Sequence, residues 1–163
     1  MNGLLCLFYI GIGATAVMDL WGLARKPLLG VAPPSYALVG RWIAHMTRGR
    51  FRHDSIARSA PVRSEQVIGW TAHYLTGIAF AALLIGIWGS AWVQQPTIGP
   101  ALAVGIGTVV APVLLMHPGM GAGIAASRTP RPALARLQSL ITHVVFGLGL
   151  YAAGQAVHVV YSL

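Results

Sequence analysis

Four long apolar stretches divide the chain, and its charged residues are concentrated between them. The stretches cover about residues 4–24, 66–92, 98–124 and 134–161. Each exceeds the ~20 residues that an α-helix needs to cross ~30 Å of hydrocarbon, and none alternates polar and apolar residues as a membrane strand does. The pattern therefore predicts an all-α protein in which a four-helix transmembrane bundle forms a single integral membrane domain over residues 1–163.

The segment between the first two stretches, residues 25–65, is too long to be a simple connector. Pro33 and Pro34 are followed by Ser35, a residue type that commonly caps the start of a helix. Apolar residues then recur at helical spacing, at Tyr36, Val39, Trp42, Ile43 and Met46. We expect a short amphipathic helix here, which lies either on the membrane interface or across the mouth of the bundle.

Composition agrees with a membrane location. Of the 163 residues, 56% are hydrophobic and only 9% are charged, against about 25% charged residues in soluble domains. The 11 Lys and Arg residues outnumber the 3 acidic residues, which gives a net charge of +8. The basic residues lie in the first and third connecting segments or, for Arg136, just beyond the third. We therefore expect the lipid bilayer and anionic headgroups, contacted by residues 48–63, as partners, and no nucleic acid.

The distribution of basic residues also predicts an orientation. The second connecting segment and both ends of the chain carry no charged side chain, so the positive-inside rule places the first and third segments in the cytoplasm and both termini outside. The first stretch lacks a preceding basic region, and we expect it to be retained as a helix in the cytoplasmic (inner) membrane. The single cysteine, Cys6, permits no intramolecular disulfide.

Four ionisable residues, one in each stretch, lie at a similar predicted depth. Asp19, His73, His117 and His143 are ~8–14 Å from the cytoplasmic ends of their helices at 1.5 Å per residue. Because such groups are costly in lipid, they normally face the interior of a helix bundle. The sequence therefore predicts that they form one polar layer.

This layer has the composition of a metal or cofactor site. Imidazole and carboxylate groups ligate transition metals, and the facing helices of bundles often hold such sites. We predict that His73 and His143 ligate a transition metal or a haem iron, with Asp19 as a ligand or an orienting partner. His117 is the weakest member, because Pro118 interrupts the helix there. Two alternatives stay open: the layer only fixes helix packing, or it lines a proton or solute path.

No motif in the chain indicates catalysis. The HExxH, GxSxG and phosphate-loop motifs are absent, so the commonest zinc proteases, hydrolases and nucleotide-binding proteins are not indicated. His53, Asp54 and Ser55 are adjacent instead of converging from separate elements as a triad does. Asp54 or Ser55 is better explained as a helix cap before Ile56. We assign no catalytic residue and do not favour an enzyme.

Several stretches resemble a known family. They are GIGATAVMDLWGLARKPLLG, YALVGRW, GRFRHDSIA, GWTAHYLTGIAFA and PGMGAGIAASRTPRPALARLQSLITHVVFGLGLY, and together they cover nearly the whole chain. They resemble a small bacterial multi-pass membrane family catalogued as a domain of unknown function, number 2938. The resemblance implies a bacterial cytoplasmic-membrane protein, and it implies no particular reaction, ligand or partner.

Three functions are compatible with the sequence. The first is a membrane component that binds a metal or haem through the polar layer. The second is a small proton-coupled transporter or an oligomeric pore in which Asp19 carries the proton. The third is a non-catalytic scaffold or assembly subunit within a homo-oligomer or a larger membrane complex.

Overall fold

The computed structural model describes residues 3–162, and within that range the chain contains helices and no strand. Four helical segments are long and apolar enough to cross a membrane: Gly3–Leu29, Glu65–Trp88, Ile98–Met120 and Pro132–Val160. The predicted fold class, all-α with four spanning helices, is thus confirmed. The predicted boundaries differ from the observed ones where glycine and proline redirect the backbone.

Helix α1 covers Gly3–Leu29 and continues past the predicted end at residue 24. Its last turn contains Lys26, and a basic residue is favourable there because it faces the negative end of the helix dipole. Gly30 has a φ of +66°, and its N–H donates to the carbonyl of Lys26 at 3.0 Å. The helix therefore ends at a left-handed glycine and not at the first charged residue.

Helix α2 covers Tyr36–Met46, so the helix predicted in the first connecting segment is present. Ser35 occupies the N-cap position, but its side chain makes no capping hydrogen bond, and the predicted capping role of that side chain is wrong. The N–H of Leu38 bonds the Ser35 carbonyl instead. A 3₁₀ turn, Ile56–Arg58, follows Ser55, again without a side-chain cap.

Helix α3 covers Glu65–Trp88, and helix α4 covers Ser90–Gln94. The sequence predicted one span to residue 92, but Gly89 adopts a φ of +75° and separates the two helices. Because of this break, Trp92 packs into the core, where it is 4% exposed, and its Nε1 donates to the carbonyl of Thr97.

The third span is irregular. Helix α5 covers Ile98–Gly107, a π-helical turn covers Pro112–Met116, and helix α6 covers His117–Met120. Pro112 lacks the N–H that would continue the α-helical ladder, which explains the wide turn. The span ends four residues before its predicted end at 124, because Gly121 takes the left-handed conformation with φ +97°. Helix α7, Pro132–Ser162, begins with proline at its first position, as is common.

The contacts divide the chain into two units, each built from separate segments. The first unit contains the residues through Pro33, Tyr74–Thr108 and the residues from Ile141 onward. Its core includes Ile10, Ala81, Leu84, Ala101, Phe146 and Leu150. Gly77 meets Thr15 of α1, and Gly105 meets Gly147 of α7. These small residues permit close helix approach, as expected in membranes. At Gly86, by contrast, a β-carbon would meet nothing within 4 Å.

The second unit contains Pro34–His73 and Val109–Leu140. In this unit α2 packs on the first turns of α3 at Gly40 and Gly69, where a β-carbon on either glycine would overlap backbone of the opposite helix. The indole of Trp42 lies against Gly119. The first connecting segment therefore packs against the end of the third span.

Candidate functional site

The four residues of the predicted polar layer are divided between the units. Asp19 and His143 belong to the first, and His73 and His117 to the second. Asp19 is half-buried and accepts a hydrogen bond from the Tyr74 hydroxyl at 3.0 Å. His143 is buried, and its carbonyl lies at the close approach of α5 and α7.

The two histidines of the second unit have different surroundings. The Nε2 of His73 lies 2.9 Å from the Tyr36 hydroxyl, and the two rings stack with centroids 4.3 Å apart. The Nδ1 of His117 is buried and has no hydrogen-bond partner in the structure as described. Among the described side chains, no three from His, Cys, Asp or Glu are grouped to hold a metal ion. The metal or haem site stays a prediction.

A basic cavity of about 940 Å³ opens within the second unit. The first connecting segment and the third connecting segment both contribute to its wall. The charged lining residues are four arginines and one aspartate: Arg50, Arg52, Arg58, Arg128 and Asp54. Three serines, Ser55, Ser59 and Ser127, add hydroxyl groups. The wall therefore offers many hydrogen-bond donors and a strong excess of positive charge.

Backbone contacts bring the two connecting segments together around the cavity. The N–H of His53 donates to the carbonyl of Gly119 at 3.0 Å. Gly121, with its positive φ, lies so close to the Asp54 carbonyl that a β-carbon would overlap it. Only glycine combines this conformation with this approach.

The third segment also holds two strained residues beside the cavity. Ala125 and Ala126 have φ values of +51° and +58°, and the left-handed region costs an L-residue roughly 1–2 kcal/mol. Arg136 donates from Nε to the Ala125 carbonyl at 2.8 Å, which holds this conformation. The strained turn lies between the lining residues Ile124 and Ser127, and such strain is common at binding sites.

Among the residues that the structure describes, the cavity arginines outnumber the one lining carboxylate, Asp54. In the range 3–162, the salt bridge that forms joins Arg41 to Glu65, and neither residue lines the cavity. Arg50, Arg52, Arg58 and Arg128 are all exposed. The cavity is therefore suited to an anion, which would supply the missing negative charge.

Arg41 does not line the cavity, but it bonds the turn from which Arg58 and Ser59 reach the cavity wall. Its Nε and one terminal nitrogen bond the two carboxylate oxygens of Glu65, each at 2.8 Å. Its other terminal nitrogen donates to the carbonyls of Ile56, Ala57 and Ser59 at 3.1–3.3 Å. The hydrogen bond to Glu65 raises the pKa of Arg41 above its usual value, so the guanidinium stays charged. Arg41 thus fixes the turn that carries Arg58.

His45, at the end of α2, and His53, in the first connecting segment, are both buried, at 4% and 8% exposure. Their rings form a hydrogen-bonded pair, and His53 also lines the cavity. The run of arginines between residues 50 and 58 signalled a site for anionic groups. Arg128 could have been added, because alternating spans put the first and third segments on one side.

We expect Arg41→Met to lower the melting temperature by several degrees, because Glu65 and three carbonyls lose their partner. Arg48→Met is the matched control, since Arg48 follows the same helix and is exposed. Thermal unfolding of the purified variants in detergent checks this. Equal melting temperatures for the two variants would contradict the supporting role of Arg41.

These features define an all-α membrane protein with four spans and a basic cavity formed by its connecting segments. The chain belongs to the family described as "Protein of unknown function (DUF2938)", whose model matches residues 8–157. This match confirms the resemblance noted in the sequence. Neither the comparison with curated proteins nor that with solved structures gave a match.

Proposed function

We propose that this membrane protein binds a phosphate-bearing anion in its basic cavity. The observation that carries the proposal is the grouping of four arginines around about 940 Å³ with Asp54 as the one carboxylate among the described lining residues. A guanidinium is planar and always charged, and it matches the oxygens of a phosphate group with two parallel hydrogen bonds. The serine hydroxyls can donate to further phosphate oxygens.

The cavity is large enough for more than a bare phosphate, since its volume lies in the range of ordinary ligand sites. Two exposed apolar side chains lie near the arginines: Ile124, which lines the cavity and is 63% exposed, and Phe51, which lies between Arg50 and Arg52 in the chain and is 60% exposed. Apolar and basic groups side by side are typical of a surface that meets lipid headgroups. A phospholipid headgroup and a soluble phosphate compound share the phosphate chemistry, so the experiment must distinguish these two sources.

The test compares binding of soluble phosphates with binding of lipids. Detergent-purified protein is titrated calorimetrically with inorganic phosphate and with pyrophosphate. The same protein in nanodiscs of phosphatidylcholine, with or without phosphatidylglycerol, is then titrated with pyrophosphate. Competition by phosphatidylglycerol supports a headgroup ligand, whereas pyrophosphate binding without that competition supports a soluble ligand. No binding of either phosphate in detergent or in phosphatidylcholine nanodiscs overturns the proposal.

We expect the double variant Arg52→Gln, Arg58→Gln to lose about 100-fold or more in pyrophosphate affinity. A hydrogen bond to a charged group contributes roughly 1.5–3 kcal/mol, and 1.4 kcal/mol is about tenfold. Arg63→Gln is the matched control, because Arg63 is exposed in the same segment but does not line the cavity. If the control and the double variant weaken binding equally, the anion is held by general charge and not by the cavity.

The metal or haem, transporter and scaffold hypotheses stay predictions. The contacts of Asp19, His73 and His143 described above favour none of them over the others. The predicted cytoplasmic placement of the connecting segments would make the anion a cytoplasmic one.

A further inference from the structure

Two buried imidazoles lie beside the basic cavity: His53 lines it, and His45 contacts His53 from the side of α2. The Nδ1 of His45 lies 2.9 Å from the Nε2 of His53. At the outer end of each ring is a backbone carbonyl: the Nε2 of His45 is 3.1 Å from the Ala60 oxygen, and the Nδ1 of His53 is 3.3 Å from the Gly119 oxygen. We call these two residues the histidine pair.

A count of protons shows what this chain of contacts requires. A carbonyl oxygen only accepts, so the Nε2 of His45 and the Nδ1 of His53 must both carry hydrogen to bond their carbonyls. The contact between the two rings needs one hydrogen more. Three hydrogens on four ring nitrogens correspond to one neutral imidazole and one imidazolium. Two neutral imidazoles carry only two hydrogens, so one of the three contacts then sets a lone pair against an acceptor.

We propose that the histidine pair is a proton-binding site coupled to the basic cavity, so that the pair takes up one proton when an anion binds. The inference rests on the proposed function, because the bound anion supplies the charge that favours the extra proton. The ligand of the whole site is then an anion together with a proton.

The charges around the pair explain the coupling. Without an anion, the nearby arginines oppose another positive charge, and a bound dianion offsets most of the excess positive charge of the cavity lining. Glu65 interacts electrostatically with His45 but is already paired with Arg41. The charged and titratable groups on the elements packed around the pair are Arg41, Arg50, Arg52, Asp54, Arg58, Glu65, His117 and Arg128.

Linkage gives the sign of the pH dependence. The complex holds one proton more than the free protein, so anion affinity rises as pH falls, by up to about tenfold per pH unit. Arginine and aspartate keep their charge between about pH 6 and pH 8, so they add no such dependence over this range.

Sulfate is the suitable probe, because it stays a dianion over this pH range whereas phosphate itself titrates. We expect sulfate affinity to be at least about tenfold higher near pH 6 than near pH 8. Calorimetry in two buffers of different ionisation enthalpy counts the protons, and we expect an uptake approaching one per sulfate. The ¹⁵N spectrum of histidine-labelled, sulfate-saturated protein should show three protonated nitrogens among the four of the pair.

Two variants and a control locate the proton. In His45→Gln and in His53→Gln the amide replaces ring contacts but cannot take up a proton, so we expect the uptake to vanish. In His158→Gln, a histidine of the other unit, the uptake should be unchanged. If the variants do not fold, the ¹⁵N spectrum of the unmodified, sulfate-saturated protein still tests whether the pair holds the third hydrogen.

The outcomes separate the two proposals. No sulfate binding at either pH overturns the proposed function and the coupling with it. Sulfate binding without proton uptake, uptake that persists in both pair variants, or only two protonated nitrogens in the saturated pair overturns the coupling alone.

Discussion

Replacing Gly69 by alanine is expected to lower the free energy of unfolding by about 3 kcal/mol, the upper end of the usual cost of overpacking. The added β-carbon would overlap the backbone carbonyl of Tyr36 at the start of α2. No side-chain rotation relieves this overlap, because the atoms nearest the added β-carbon belong to the main chain of Tyr36 and Gly40. Helix α2 must therefore move away from α3, and α2 carries His45 and Arg41 behind the basic cavity. Pyrophosphate affinity should fall together with stability.

Gly86→Ala provides the control on the same helix. A β-carbon at Gly86 meets nothing within 4 Å, and alanine has the higher helix propensity. We expect Gly86→Ala to be neutral or slightly stabilising, with unchanged anion affinity. The measurement is denaturant-induced unfolding in detergent with calorimetric titration of each folded variant. A Gly69→Ala protein as stable as Gly86→Ala would contradict the observed contact between α2 and α3.

Replacing Gly105 by alanine is expected to destabilise the first unit by about 2–3 kcal/mol. A β-carbon there would lie 2.5 Å from the Cα of Gly147 and 2.7 Å from the His143 carbonyl oxygen. The two glycines allow α5 and α7 to touch through their backbones, which is how helices associate without a hydrophobic driving force. All the cavity residues belong to the other unit, so anion affinity of the folded fraction should be retained.

For this second prediction the control is Gly107→Ala on α5, where a β-carbon meets nothing within 4 Å. The same unfolding experiment should show a loss for Gly105→Ala and no comparable loss for Gly107→Ala. Equal losses would mean that flexibility, and not helix contact, makes glycine necessary in this segment.

The spans could be predicted because hydrocarbon imposes a length and a composition on any helix that crosses it. Their ends could not, because they depend on the conformation of single glycines. Helix α1 passes Arg25 and ends only at Gly30. Gly89 breaks the second span, and Gly121 ends the third. Hydropathy does not distinguish these glycines from Gly86, which lies within α3.

The candidate site was predicted only in part. The arginine run between residues 48 and 63 lies between the first two spans, and the contact with anionic groups expected there stays a prediction. The burial of His53 could not be predicted, since His53 contacts Gly119, which is 66 residues away in the chain. His45 in turn packs against His53. Depth along a helix suggested the polar layer, but depth does not determine which side chains face each other.

The cavity wall is made from two segments separated by two complete spans, and this has a consequence for biosynthesis. During translation, Arg50 to Arg58 leave the ribosome long before Gly119 and Arg128. Until residues 119–128 are made, the nascent chain lacks both the Gly119 carbonyl that bonds His53 and Arg128, the fourth arginine of the cavity. A fragment containing only the first two spans would thus lack part of the cavity wall, and the basic cavity would be complete only after the third span has been inserted.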